Sequence, residues 1–439
     1  MNRPTAPASR AASRASARLT RVFARPGSAW VVSILVALMP LSFSIGWEIK
    51  ALPQALLFLL GLALLAGSAR VRRGYRAAWP PVVVALAMIA FAIFNVLLHG
   101  LGWRPLDRPA HVLLFLVVAA CFALPLRMRV VWTGFSLSGI VLGTTAAVQT
   151  HVLGIERPHG LNGGPSASIE LATVLLGLST ISLVQVLAPG TRRRERGLHL
   201  IAMGCAMYGA LLTQSRGPLL AFAPIFLLLV LLHARRCGRW RSSLLLVAAV
   251  CTVAGATTFG MRDEMVTRFQ AIAPEVTRFD QSRATRGAVI ERLEMWRTAA
   301  RAFREHPVAG IGMGQFDEYT RKEIVAGRSH AAIERYNQPH NEYLEAAATG
   351  GVPGLLVVLA VFLVPLHYFA RRMLDPDDEV ALPAAIGVGV VGLYMLCALT
   401  DAVFYRVMTQ SFYFFVVLGL ALRIACLRCT DRGRETPPA

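Results

Sequence analysis

Gln338-Pro339-His340-Asn341-Glu342-Tyr343-Leu344-Glu345, running on through Gly350-Gly351-Val352-Pro353-Gly354, marks the boundary that decides the fold. Beyond Gly354 the chain is apolar enough to live in lipid. Before it, back to Arg283, lies a polar segment in which Arg286, Arg292, Arg297, Arg301, Arg304, Arg328 and Arg335 alternate with Glu291, Glu294, Glu305, Asp317, Glu323 and Glu334. Such a segment inside an apolar chain reads as a polar cap seated on a bundle of membrane helices, with chemistry expected where cap meets bundle.

The whole chain supports that division. Its 439 residues are 55% hydrophobic and 16% charged, with a mean hydropathy of +0.53. A soluble protein of this size carries about 25% charge. Apolar runs of about 20 residues, separated by short Arg-rich turns, predict an all-α, polytopic membrane protein. A β-barrel would instead alternate polar and apolar residues over roughly 10-residue strands. Twelve spans are expected, near 29–47, 51–68, 79–99, 109–126, 131–150, 167–189, 198–213, 217–234, 242–260, 351–370, 382–402 and 408–427. The very short connection at Gln214–Gly217 predicts a tight helical hairpin.

Residues 1–26 are rich in Ala, Ser, Pro and Arg and carry no acids, as expected of a disordered basic tail. Spans one to nine then occupy 27–260, a helical loop 261–350, spans ten to twelve 351–428, and a second tail 429–439. The formal charge of +20 invites a nucleic-acid reading. The arginines, however, sit mostly between spans, where they report topology. With twelve spans, the clusters at Arg10–Arg25, Arg70–Arg76, Arg127–Arg129, Arg192–Arg196, Arg235–Arg241, Arg371–Arg372 and Arg428–Arg434 all fall on one side. The positive-inside rule makes that side cytoplasmic. Both termini are then cytoplasmic and the 261–350 loop faces outward. Seven cysteines lie in apolar spans or basic segments and none in the loop, so no disulfide framework is indicated.

Within the loop, Ile290, Leu293, Trp296 and Ala300 recur at helical spacing, with Arg292 off that stripe. His306-Pro307 ends this helix, and Asp317–Val325 reads as a second. Pro339 suits the first turn of a third, which Gly350-Gly351 stops.

Four outward-facing places concentrate unusual polar groups. His340, beside Asn341, has an imidazole able to take a proton from a hydroxyl nucleophile; otherwise it lines a structural helix. Arg216, in Ser215-Arg216-Gly217, sits in a very tight turn at membrane depth, where an arginine is expensive unless paired or solvated. It can hold an anion with two prongs, or merely snorkel to the interface. Arg292 is either a ligand or part of a solvated helix face. The loop from Arg157 to Pro165 is rich in glycine, so its backbone can wrap a phosphate or sugar; otherwise it is a surface connection. Several arginines and one base on a single face suggest a lipid diphosphate as substrate, its leaving group neutralised by guanidinium. No acidic pair, DxD or His/Cys cluster is present on that side to hold a divalent metal, so neither metal nor cofactor is expected.

At this point the chain resembles the O-antigen ligase family of the bacterial envelope-glycan ligases and polymerases. Three stretches carry the resemblance. Ser215-Arg216-Gly217 is similar to the family's SRG turn. Arg292-Leu293-Glu294-Met295-Trp296, followed by His306-Pro307-Val308-Ala309-Gly310-Ile311-Gly312, is similar to its R-x-x-x-W and H-P-x-x-G-x-G elements. His340-Asn341-Glu342-Tyr343-Leu344-Glu345, followed by Gly351-Val352-Pro353-Gly354, is similar to its H-N-x-x-L-E and G-x-x-G signature. The match at Gly160–Pro165 is looser, because Pro165-Ser166 stand where an asparagine is common.

The resemblance implies a GT-C type glycosyltransferase of the bacterial inner membrane, acting at its periplasmic face. O-antigen polysaccharide on undecaprenyl diphosphate would be the donor and a hydroxyl of lipid A-core the acceptor. His340 would activate the acceptor hydroxyl. Arg216 and Arg292 would bind the diphosphate, with Arg157 assisting; Asn341, Ser215 and Gln338 would support them. Attack at the anomeric carbon would invert its configuration without metal. A monomer in contact with membrane lipids and with no nucleic-acid partner is expected. An O-antigen polymerase and a protein O-oligosaccharyltransferase share the donor and differ in acceptor. A transporter of the same lipid-linked glycan is the reading from a different class, and would call for mid-span charges and an internal repeat.

Overall fold

A computed structural model of the chain describes residues 26–45, 47–161, 167–260 and 288–432, and among these every regular element is a helix. The expected basic N-terminal tail and the first part of the loop, with Arg283 and Arg286, lie outside the described residues. So do residues 162–166 of the glycine-rich loop.

Among the described residues ten α-helices precede the cap: α1 (Pro26–Ser42), α2 (Trp47–Gly67), α3 (Ala69–Ala77), α4 (Trp79–Leu98), α5 (Asp107–Val118), α6 (Met128–His151), α7 (Ser168–Leu187), α8 (Arg193–Leu212), α9 (Arg216–Cys237) and α10 (Trp240–Gly260). The cap contributes α11 (Ala288–Glu305) and α12 (Phe316–Val325). Then follow α13 (Glu342–Ala370), α14 (Asp378–Cys397) and α15 (Val407–Arg432). Each of the twelve apolar runs falls on helix. Among the described residues, eight helical stretches are long and apolar enough to cross a membrane, or nine if the pair Ala51–Gly67 and Ala69–Ala77, bent by 96°, counts as one span. The remainder fall short for visible reasons. Gly27–Ser42 and Trp240–Thr252 are short, and α8 opens on Arg193, Arg194, Glu195 and Arg196. The chain is therefore a polytopic helical membrane protein.

The centre of the bundle is α7, buried along nearly its whole length and flanked by α6, α8, α9, α14 and α15. Lipid tails give helices no hydrophobic reason to associate, so close approach must do the work. The crossing of α6 and α8 illustrates it. A Cβ on Gly143 would stand 2.2 Å from the Cys205 carbonyl oxygen, and one on Gly209 would stand 2.8 Å from the Gly143 Cα. Helix α4, by contrast, keeps most of its surface outside the protein, with Phe94, Leu97 and Leu98 exposed.

Two local expectations are corrected. The turn Thr213–Ser215 is tight, with Gln214 in the left-handed region at φ 55°, but the hairpin does not close. Helix α8 packs on α6 and α7 while α9 packs on α14 and α7, so α7 separates the two. On α11 the buried line is Ile290, Glu291, Met295, Thr298, Ala299 and Ala302, so Ile290 is buried as predicted while the rest of the line is rotated from the predicted stripe. Trp296 and Leu293 are half-buried, because Trp296 reaches sideways to the loop before α13.

The cap has a small core of its own, in which Met295, Ala299, Ala302, Phe316, Ile333 and Ala348 are buried together. Buried ions complete it. Glu323, 1% exposed, takes a 2.7 Å bond from Arg301 and a second ion pair from Arg328. Those guanidiniums hold its carboxyl below the usual range: the hydrogen bond from Arg328 is the largest influence, and burial opposes it. Glu291 accepts from Arg335 at 2.7 Å and from the Tyr336 hydroxyl at 2.5 Å.

The His306–Gly312 segment pins cap to bundle. Ile311 and Gly312 donate their backbone N–H groups to the carbonyls of Ala348 (2.9 Å) and Thr349 (3.0 Å), and Val352 donates to Pro307 (2.7 Å). Gly310, at φ 70°, lies so close to α13 that a Cβ there would meet the Thr349 carbonyl carbon at 2.3 Å. Gly351, at φ 63° and ψ −157°, breaks α13 at the junction, as its paired glycines predict.

Candidate active site

The chain does not enter α13 at Pro339. Asn341 is the N-cap: its side-chain oxygen accepts from Leu344 N at 3.0 Å, and its amide nitrogen donates to the Leu399 carbonyl at 3.0 Å. His340 therefore stands outside the helix, correcting the expectation that the helix starts at Gln338-Pro339. Its φ of 51° is unusual for a side-chain-bearing residue and is held from both sides. The Gln338 side-chain oxygen accepts from His340 N at 2.7 Å, and the Trp296 indole donates to the Pro339 carbonyl at 3.0 Å.

This geometry aims the imidazole at a residue the sequence did not single out. His340 Nδ1 lies 2.9 Å from the Asp401 carboxylate, with the two side chains only 14% and 6% exposed. A carboxylate accepts only, so Nδ1 carries the proton and donates it to Asp401. The Gln338 amide nitrogen, 3.1 Å from the same Nδ1, is then in contact rather than hydrogen-bonded. Nε2 keeps the lone pair and can take a proton, while Asp401 orients the ring and stabilises the cation that forms. Tyr336 meets the ring edge-on at 5.6 Å between centroids.

Asp401 sits in the short turn between α14 and α15, and that turn is clamped to the start of α13. Glu342 N donates to the Ala398 carbonyl at 2.9 Å, Tyr343 Oη to the Met395 carbonyl at 2.8 Å, and Phe404 N to Glu342 Oε2 at 2.9 Å. The same turn receives the Ser215-Arg216-Gly217 corner: a Cβ on Gly217 would lie 2.1 Å from Thr400 Oγ1. Glycine is thus required there by close approach. Arg216, half-buried, is the first residue of α9, whose N-cap Ser215 is buried and makes no side-chain capping bond. Arg157 reaches the same corner, its Nε donating to the Thr213 carbonyl at 3.3 Å. Arg292 is half-buried on α11, one helical turn before Trp296.

The structure therefore gathers Arg157 and Arg216 at a corner one residue from the partner of His340, with Ser215, Gln338 and Asn341 shaping the backbone around them. Arg292 shares α11 with Trp296, whose indole holds the Pro339 carbonyl, and its link to the site is that helix alone. Sequence reasoning missed Asp401, and with it Arg108 and Arg406. Arg108 lies 3.4 Å over the Tyr405 ring, and Arg406 pairs at 3.3 Å with Glu170 of α7. Polar residues in the connection between the last two spans were the available signal.

A polar, ion-rich cap is clamped to a multi-pass helical bundle, with a histidine–carboxylate pair and arginines at the seam, an arrangement that defines the class as a polytopic membrane protein with a buried polar site. Residues 201–359 match the family model described as O-antigen ligase, a stretch that includes Ser215-Arg216-Gly217, α11 and His340. It is also 20% identical over 299 residues to an uncharacterized protein of Haemophilus influenzae, covering 67% of this chain and 74% of that relative.

Proposed function

We propose that the protein is an O-antigen ligase of GT-C type. It transfers O-antigen polysaccharide from undecaprenyl diphosphate to a hydroxyl of lipid A-core, at the periplasmic face of the bacterial inner membrane. The observation that carries this reading is the 2.9 Å His340–Asp401 pair, in contact through Thr400 with the arginine corner at Gly217. His340 Nε2 takes the proton of the acceptor hydroxyl as its oxygen attacks the anomeric carbon. The bond from that carbon to the diphosphate oxygen breaks on the opposite face, and the configuration inverts. The departing diphosphate is met by Arg216 and Arg292, with Arg157 supporting the corner, and by the backbone N–H groups opening α9. Two-pronged guanidinium donors suit a diphosphate better than point charges do. The deciding experiment mixes purified full-length protein in detergent with lipid-linked polysaccharide and lipid A-core. Polysaccharide joined to core is expected. Longer lipid-linked polymer with no joining to core would instead make the protein a polymerase.

A further inference from the structure

A cavity of about 580 Å³ opens beside the site, between α4, the residues leading into α5, the first half of α13 and the start of α15. This lies within the ~300–1,000 Å³ range of small-molecule pockets. None of His340, Asp401, Arg157, Arg216 or Arg292 lines it, yet Asn337 and Glu342, three residues before and two after His340, do. The cavity thus abuts the His340 loop without using the residues assigned above.

Three buried polar atoms of its lining residues have no partner in the protein. Gln410 is 1% exposed, and neither its amide oxygen nor its amide nitrogen has a hydrogen-bond partner. Glu345 Oε2 is likewise buried without one. Buried polar atoms are nearly always paired, so three such atoms lining one cavity call for a ligand that both donates and accepts. Glu345 accepts, Gln410 does both, and Arg108 donates, while Phe91 and Phe404 add ring faces. The lining carries both signs, Arg104 and Arg108 with Asp317, Glu342 and Glu345, so charge does not single out an anion. A sugar has hydroxyls for the polar groups and C–H faces for the rings.

We propose that this cavity is a binding subsite for a neutral, hydroxyl-rich saccharide, with Glu345 and Gln410 as its principal hydrogen-bonding partners. Resting on the ligase reading, that saccharide is part of the acceptor core or of the donor glycan, held so that the reacting centre reaches His340.

The test uses full-length protein and the variants Gln410→Leu and Glu345→Gln. Binding of delipidated core oligosaccharide, and separately of released O-antigen glycan, is measured by calorimetry. Initial rates are measured with each substrate varied. One of the two saccharides is expected to bind about tenfold more weakly to each variant, with a matching rise in KM for the substrate that carries it and little change in kcat. The saccharide affected names the source. Thermal stability of Gln410→Leu should stay level or rise, since an apolar side chain replaces an unpaired buried amide. Unchanged binding of both saccharides and unchanged KM values in a folded, active protein would overturn the subsite and leave the ligase reading standing. Saccharide binding that the variants weaken, in a protein that transfers nothing, would uphold the subsite and overturn the ligase reading.

Discussion

Cap and bundle are both helical, but they are held together by opposite means. The bundle brings backbones into contact through small residues, as at Gly143 and Gly209, and keeps its few ions paired, as in Glu170–Arg406. The cap has a core of only a few side chains and closes it with buried carboxylates, Glu323 and Glu291, each bound to arginine. Each follows from its solvent. In lipid an unpaired charge is prohibitive and packing is the remaining force; in water a small core gains from ion pairs whose exposed arms stay hydrated. The seam between them is where a histidine and a carboxylate can be desolvated and still meet a water-borne substrate.

The sharpest break in that comparison is at the seam. His340→Ala should reduce transfer by about 10²–10⁴-fold while leaving thermal unfolding unchanged, because the residue holds neither region together. Near-normal turnover would remove it as the base. Gly143→Val should act on the bundle alone. It forces a side chain against the Cys205 carbonyl and should cost about 3 kcal/mol, seen as a lower unfolding temperature in detergent; a neutral effect would mean α6 and α8 can separate freely.

Asp401→Asn should lower kcat by roughly 10²-fold, since the amide can hold the ring but cannot stabilise its cation. A simple structural role would predict recovery with Asn, and full activity there would make Asp401 a mere support. Arg216→Lys should lower kcat/KM by about tenfold, measured with the lipid-linked donor; equal turnover would reduce Arg216 to a point charge.

The smallest effect belongs to the cap. Glu323 has a depressed folded-state value, so its contribution is present above the ordinary glutamate range of about 4.3 and is lost as pH falls through that depressed value. Glu323→Gln should cost about 1 kcal/mol near neutrality, because both arginine partners are partly exposed. Its unfolding temperature should also fall less than the native protein's on acidification. Parallel pH curves would show that the Glu323 ion pairs add nothing.

How much of this was legible beforehand can be read residue by residue. The composition and the apolar runs determined a polytopic helical protein with one polar cap, because burying backbone in lipid leaves helices as the economical solution. The ends of α11 and α12 and the break at Gly351 were likewise visible, since proline and glycine act locally. Short motifs carried the family, which residues 201–359 bear out. The site's geometry was not legible. Asp401 follows His340 by 61 positions, and nothing local ties a carboxylate in one turn to an imidazole before another helix. The true start of α13 was also hidden, since Pro339 is an ordinary opening for a helix until Gln338, Trp296 and Leu399 hold the backbone otherwise. Sequence alone thus determined that the chain is a polytopic bundle of apolar helices and which residue types stand ready for chemistry. Only the tertiary structure decided which of them meet, because the contacts that orient His340 come from helices distant in the chain and act only once those helices have packed.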